Sequence, residues 1–176
     1  ETNELDEVLG MKDVRLVLLS FFDGIGAAHL ALANLGVVPC CTMSFETDEE
    51  CTSVVRAHAL PRRREPRELR RVQSRRAHGL RQGGYQGDLV ILVTAGPPCP
   101  DFSRIKGSTS KGRTGPEGEK LVKFCGLLHS LRTDAHARGW AFHFVVENVV
   151  MNHHESLHFD SLLGARAFVM DAGDMT

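Results

Sequence analysis

Cysteine pairs at metal-binding or redox spacing are missing from this sequence. Its five cysteines (Cys40, Cys41, Cys51, Cys99 and Cys125) are odd in number and include no CxxC. That argues against a disulfide framework and a zinc ribbon, and favours a reducing, intracellular compartment. Long apolar runs are missing too, since nothing approaches the roughly 20 residues of a membrane span. Residues 1–13 form a polar, acidic leader unlike a signal peptide, so no membrane partner is expected. There is no internal repeat and no complete GxGxxG. The nine histidines, His153-His154 included, show no metal-ligand spacing, so no metal is expected. What is present is ordinary in bulk: 176 residues, 42% apolar and 24% charged. That suffices for one folded core, makes one domain or part of one, and excludes wholesale disorder.

The net charge of −1 conceals an uneven distribution. Between Arg56 and Arg81 lie ten arginines against Glu65 and Glu68, a local +8 that leaves −9 elsewhere. Such a run either meets the phosphates of a nucleic acid or is a solvated surface insertion. It has little apolar periodicity, so residues 61–81 read equally as a poor strand, a solvated helix or a loop.

Elsewhere, short β-branched runs alternate with helical patterns, which predicts an α/β fold with a mostly parallel, Rossmann-like sheet. Val14 to Ser20 reads as a buried strand running into Phe22-Asp23-Gly24-Ile25-Gly26. Ala27 to Leu35 follows as a helix stopped by Gly36. Cys40 to Phe45 is a second strand ending in Glu46, with Thr47 or Asp48 capping a helix towards His58. Asp88 to Ala95 is the clearest buried strand and ends in Gly96-Pro97-Pro98-Cys99-Pro100, which continues neither strand nor helix. Lys106 to Gly118 reads as a mobile loop and Glu117 to Arg132 as a helix, with Leu121, Phe124, Leu128 and Leu131 at helical spacing. Ala141 to Val146 is a strand ending in Glu147-Asn148. A helix over Ser156 to Leu163 and a last strand over Ala167 to Met170 complete the pattern.

Ligands of open parallel sheets gather beyond the carboxyl ends of the strands. Four such ends carry unusual residues here, and a parallel sheet would bring them to one edge. Glycines after the first strand let the backbone approach a ligand, and Glu46, 22 residues beyond Gly24, suits ribose hydroxyls. Asp23 beside the turn would repel a pyrophosphate, which favours a nucleoside cofactor without phosphates, S-adenosylmethionine being the common one. The same glycines also serve as an ordinary strand-to-helix turn. Cys99 follows two prolines at a strand end, a placement that suits either a positioned nucleophile or a structural cysteine. Glu147 sits against a core strand, where lost hydration favours a protonated, proton-donating carboxyl; the alternative is a carboxylate that caps the next helix.

Taken together, FFDGIG, the second-strand glutamate, GPPC followed by PDFS, and ENV, 48 residues after Cys99, resemble the cytosine-5 methyltransferases of DNA. The likeness runs from about Val14 to Met170. It implies an S-adenosylmethionine-dependent methyltransferase fold that yields S-adenosylhomocysteine. It also implies a Cys99 thiolate that adds to cytosine C6, so that C5 becomes enamine-like and takes the methyl group. Loss of the C5 proton then releases the cysteine, and the target base must leave the stack to react. By the same resemblance Glu147 holds the cytosine N3/N4 edge and Asn148 supports the loop. Phe22, Asp23, Gly24, Ile25, Gly26 and Pro98 line the cofactor, with Glu46 on its ribose, and Glu68 with Leu69 stands where an acidic residue usually holds the adenine amino group. Ser103, Arg104, Lys106, Lys111 and Arg113 fall where the family closes over the flipped base.

The arginine-bearing motif that normally follows the last strand, the target-recognition domain and the closing C-terminal segment have no counterpart before Thr176. The expectation is a C-terminally truncated cofactor-binding and catalytic subdomain over 14–176, with a protein partner supplying the recognition region. DNA is the expected substrate, in the nucleus if the host is eukaryotic. The rivals are a tRNA cytosine-5 methyltransferase of the same fold acting on RNA, an inactive regulatory relative, and an unrelated nucleotide-binding α/β domain. Intact Cys99, Glu147 and FFDGIG count against the second of these rivals, and GPPC against the third.

Overall fold

The computed structural model describes residues 15–57, 89–103 and 111–170. The chain is α/β, and its described residues form a four-stranded, all-parallel sheet. Strand β1 (Arg15–Phe21) leads into helix α1 (Ala27–Asn34), β2 (Cys41–Phe45) and α2 (Glu49–Ala57). Strand β3 (Leu89–Ala95) precedes a short 3₁₀ turn (Gly112–Thr114) and α3 (Pro116–Ala137), and β4 (Ala141–Val146) and α4 (His153–Leu163) close the series. The sheet order is β2-β1-β3-β4, so the order reverses at β1, whose carboxyl end carries the glycine turn. This arrangement is compatible with a Rossmann-like fold.

Two compact units divide the described residues. The first comprises 15–57, 89–94 and 140–144; the second comprises 95–103, 111–139 and 145–170. In the first unit, β1 and β3 are the continuous apolar runs that a central parallel strand requires, and Leu18 and Val93 are fully buried. Strand β1 pairs with β2 in parallel, from Val17 opposite Cys41 to Phe21 opposite Phe45. Asp48 caps α2, its Oδ1 accepting a 2.9 Å hydrogen bond from the Cys51 amide, and Val55 is that helix's buried residue. Along β4, the last strand in the sheet order among the described residues, Ala141, His143 and Val145 are exposed while Phe142, Phe144 and Val146 are half-buried, the two-residue alternation of a strand with one open face.

The second unit packs α3 with α4. Gly118, Leu121, Phe124, Cys125, Leu128 and Ala135 form the buried stripe of α3. Helix α4 buries Phe159, and its N-cap Asn152 accepts a 2.9 Å bond from the Glu155 amide. At its other end, where Gly164 closes the helix in the left-handed region, Arg132 of α3 donates to the Leu163 carbonyl at 3.0 Å and places a cation on the helix terminus.

The observed elements depart from the sequence expectations in four places. Helix α3 runs on to Ala137, because Ala135 adds a further turn to the buried stripe. Helix α4 starts at His153, where Asn152 supplies the cap. Residues 111–118 are not a loop throughout: Gly112–Thr114 form the 3₁₀ turn and Pro116 is the first residue of α3. The expected strand over 167–170 does not form; Phe168, Val169 and Met170 are 79%, 74% and 60% exposed and pair with no strand among the described residues. An apolar run becomes a strand only where a ladder partner accepts it. No helix among the described residues is long and apolar enough to cross a membrane.

Candidate functional site

In the first unit, the turn after β1 is built from left-handed backbone. Gly24 and Gly26 have φ of 53° and 83°, which glycine adopts without strain. Phe22, at φ 49°, takes the same region at a cost of about 1 kcal/mol, so its surroundings must hold it there. Asp23 does so. Its Oδ1 accepts from the Ser20 hydroxyl at 2.5 Å, and its Oδ2 accepts from the Ser44 hydroxyl. The Thr94 hydroxyl donates in turn to Ser20 at 3.0 Å. His29 Nε2 lies 3.2 Å from Asp23 Oδ2, close enough to ion-pair but off-line for a hydrogen bond. Burial opposes ionisation of Asp23, yet these contacts from His29, Ser20 and Ser44 outweigh it and hold the carboxyl below its ordinary value.

Glu46, one residue beyond β2, closes the same turn. Its Oε2 accepts from the Gly24 amide at 2.8 Å, while Oε1 accepts from the Thr47 and Asp48 amides at 2.6 and 2.9 Å. The Asp48 amide does most to keep this carboxyl ionised and low, and the Gly24 and Thr47 amides outweigh partial desolvation with it. A carboxylate offers about four acceptor positions, and three are engaged here, so one remains on Oε2 for an incoming hydroxyl. Beside it, the rings of Phe21 and Phe45 stack with centroids 4.4 Å apart and planes within 6°, and Phe45 is exposed. Ile25 is exposed, and a Cβ added to Gly24 would point into open space.

In the second unit, Cys99 is half-buried on the loop after β3, next to half-buried Pro98. The segment after β4 grips that loop upstream of the cysteine: the Glu147 amide donates to the Ala95 carbonyl at 2.9 Å, and Asn148 Nδ2 donates to the Pro97 carbonyl at 3.3 Å. Asn148 is itself oriented by the Val149 amide, which donates to Oδ1 at 2.9 Å. Downstream, the Phe102 and Ser103 amides both donate to the Cys99 carbonyl, at 2.9 and 3.1 Å. Buried Phe102 meets Phe159 edge-on, with centroids 5.4 Å apart.

Within each unit, then, expected residues do come together: Asp23, Gly24, Gly26 and Glu46 in the first; Pro98, Cys99, Glu147, Asn148 and Ser103 in the second. Three details differ from expectation. Asp23 is buried and turned into the hydroxyl cluster, so it shapes the turn. The Glu147 side chain is exposed, without the lost hydration that its strand-end position suggested, because it continues the alternation of exposed and half-buried residues along β4. Arg113 Nη1 ion-pairs with Glu155 at 3.3 Å and lies 3.4 Å from His154 Nδ1, while Lys111 is exposed. Glu68, Leu69, Arg104, Lys106 and the arginines from Arg62 to Arg81 lie outside the described residues.

Ser20, Ser44, His29 and Asp101 were not among the site residues expected from the sequence. A serine ending the otherwise apolar VRLVLLS, and a histidine at the third fingerprint position, were the available signals for two of them. No group of three His, Cys, Asp or Glu among the described residues is placed to hold a metal ion. No family model matches the chain, and none of the curated proteins matches it.

Proposed function

We propose that this chain carries the cofactor-binding and catalytic residues of a DNA cytosine-5 methyltransferase on an S-adenosylmethionine-dependent methyltransferase fold. The observation that carries the reading is the grip of Glu147-Asn148 on the loop bearing Cys99. ENV, one of the two segments with the most specific resemblance, is hydrogen-bonded to Pro97 of the other, GPPC, at 3.3 Å, and to Ala95 immediately before it at 2.9 Å. A merely structural cysteine needs no such support.

The first unit fits a nucleoside with a free cis-diol. Glu46 is ionised, keeps one acceptor position, and is fixed to the backbone amide of the glycine turn, while Phe45 and Ile25 offer apolar surface beside it. S-adenosylmethionine, when bound, supplies an electrophilic methyl group. Glu46 binds its ribose hydroxyls, the Phe22–Gly26 turn gives room for it, and Asp23 holds that turn in shape. In the second unit, the Cys99 thiolate forms a bond to C6 of an extruded cytosine, and the exposed Glu147 carboxyl hydrogen-bonds the N3/N4 edge and stabilises the proton taken up there. Asn148 keeps the proline loop in register. The C6–S bond breaks when the C5 proton leaves to a base.

Duplex DNA and a tRNA, each containing 5-fluorocytosine, test the reading in the presence of S-adenosylmethionine. Fluorine at C5 cannot leave as a proton, so the enzyme stays attached. The expected result is an adduct with DNA that is lost in Cys99→Ser. An adduct with tRNA alone would replace DNA by RNA as the substrate, and no adduct with either would overturn the reading.

A further inference from the structure

Glu147 and Asn148 account for the upstream support of Cys99 but not for what holds the loop downstream, where Asp101 is, with Asp23, a buried charged residue among the described residues. Its Oδ2 accepts from the amides of Glu117 and Gly118 at 2.9 and 3.2 Å, in the first turn of α3. Its own carbonyl accepts from the Gly112 amide at 2.8 Å. The residue at the N-cap position of α3 is Gly115, which has no side chain to cap with. A carboxylate from a different part of the chain therefore does the work of a cap, at the positive end of a 22-residue helix. The fit is close: a Cβ on Gly115 would overlap the Asp101 carboxylate, and one on Gly118 would overlap the Gly112 carbonyl.

We infer that Asp101 is a positioning residue for Cys99, locking the short turn Cys99–Ser103 to the start of α3. The chain of contacts is continuous. Cys99 is tied through its carbonyl to Phe102 and Ser103, the intervening Asp101 is bonded through both side chain and backbone to 112–118, and Phe102 is wedged against Phe159. A rigid helix end thus bounds the cysteine loop on one side, and Asn148 bounds it on the other. The role rests on the reading of Cys99 as the nucleophile, but the clamp itself is a property of the fold and can be measured separately.

Two variants act on it from opposite sides. Asp101→Ala removes the acceptor. Gly115→Ala keeps the carboxylate but pushes it off the helix end, and Gly115 has φ −81° and ψ 161°, which alanine adopts freely. Asp101→Asn, which retains an acceptor oxygen, is the conservative rescue. The first readout is iodoacetamide labelling of each cysteine, resolved by peptide mass. Cys125 is buried in α3 and its thiol is pushed up to about 11 by burial, so its continued protection reports an intact fold. Asp101→Ala and Gly115→Ala should label Cys99 several-fold faster than the parent with Cys125 still protected, and Asp101→Asn should fall between. The second readout is the rate of adduct formation with 5-fluorocytosine DNA, expected to drop about tenfold to a hundredfold in the two alanine variants, with affinity for S-adenosylhomocysteine within about twofold of the parent.

Unchanged Cys99 labelling in both alanine variants overturns the clamp. Faster labelling with an undiminished adduct rate overturns the positioning role. If the parent protein forms no adduct, the functional reading has failed, and the labelling comparison alone decides whether Asp101 holds the loop.

Discussion

At the scale of single residues, Asp23 is where the sequence reading and the structure part most instructively. An acid beside a glycine turn was legible, and so was its unsuitability for a pyrophosphate. Its partners were not, because Ser20, Ser44 and Thr94 come from three separate strands and only the sheet register brings them together. Glu147 shows the converse: burial was inferred from its neighbours in sequence, whereas the alternation along β4 puts it on the exposed face. The Asp23 cluster makes a definite pH prediction. The folded-state value lies below the unfolded value of 3.8, so ionised Asp23 contributes stability above that pH and loses it as the pH falls through the folded value. Asp23→Asn should cost about 1–3 kcal/mol near neutrality, the usual loss for a buried charge-assisted network. That difference should shrink as the pH falls from about 4 downwards. Urea denaturation of parent and variant across that window checks it; curves displaced by a constant amount would remove Asp23 from the account of acid stability.

At the scale of elements, what could be read was whatever a local rule dictates. The apolar runs of β1 and β3 and the Leu121–Phe124–Leu128 spacing needed no tertiary information. The far end of α3 did, because after Arg132 the sequence is polar apart from small alanines, and Ala135 is buried only through tertiary packing. The start of α4 was present as an Asn-x-x-Glu pattern, Asn152 to Glu155, and was legible in principle. Two substitutions separate the forces involved. Leu121→Ala empties a fully buried position in the α3 stripe and should cost about 2–5 kcal/mol. Asn152→Ala removes one capping bond from α4 and should cost about 1 kcal/mol. Thermal unfolding of the two variants should rank them in that order, and a cap variant as damaging as the core variant would mean that α4 carries more of the second unit's stability than its single buried phenylalanine suggests.

At the scale of the whole molecule, the decisive fact is that the two sets of candidate residues belong to different compact units. Glu46, Gly24 and Asp23 hold one another in the first; Cys99, Asn148 and Asp101 are organised by hydrogen bonds within the second. Neither set draws a partner from the other in any of these bonds, so each should survive damage to the other. This turns the proposed function into a double dissociation. Glu46→Ala removes a charged acceptor and should weaken binding of S-adenosylhomocysteine by about tenfold to a hundredfold, the equivalent of about 1.5–3 kcal/mol. It should leave iodoacetamide labelling of Cys99 at the parental rate. Cys99→Ser should abolish the 5-fluorocytosine adduct while changing cofactor affinity by no more than about twofold, since Sγ→Oγ leaves every backbone bond of the loop in place. Calorimetric titration and adduct formation, run on both variants, give four numbers whose pattern is fixed in advance. If cofactor affinity fell equally in both, the residues would act as one structural whole, and the assignment of cofactor binding to one set and covalent chemistry to the other would be wrong.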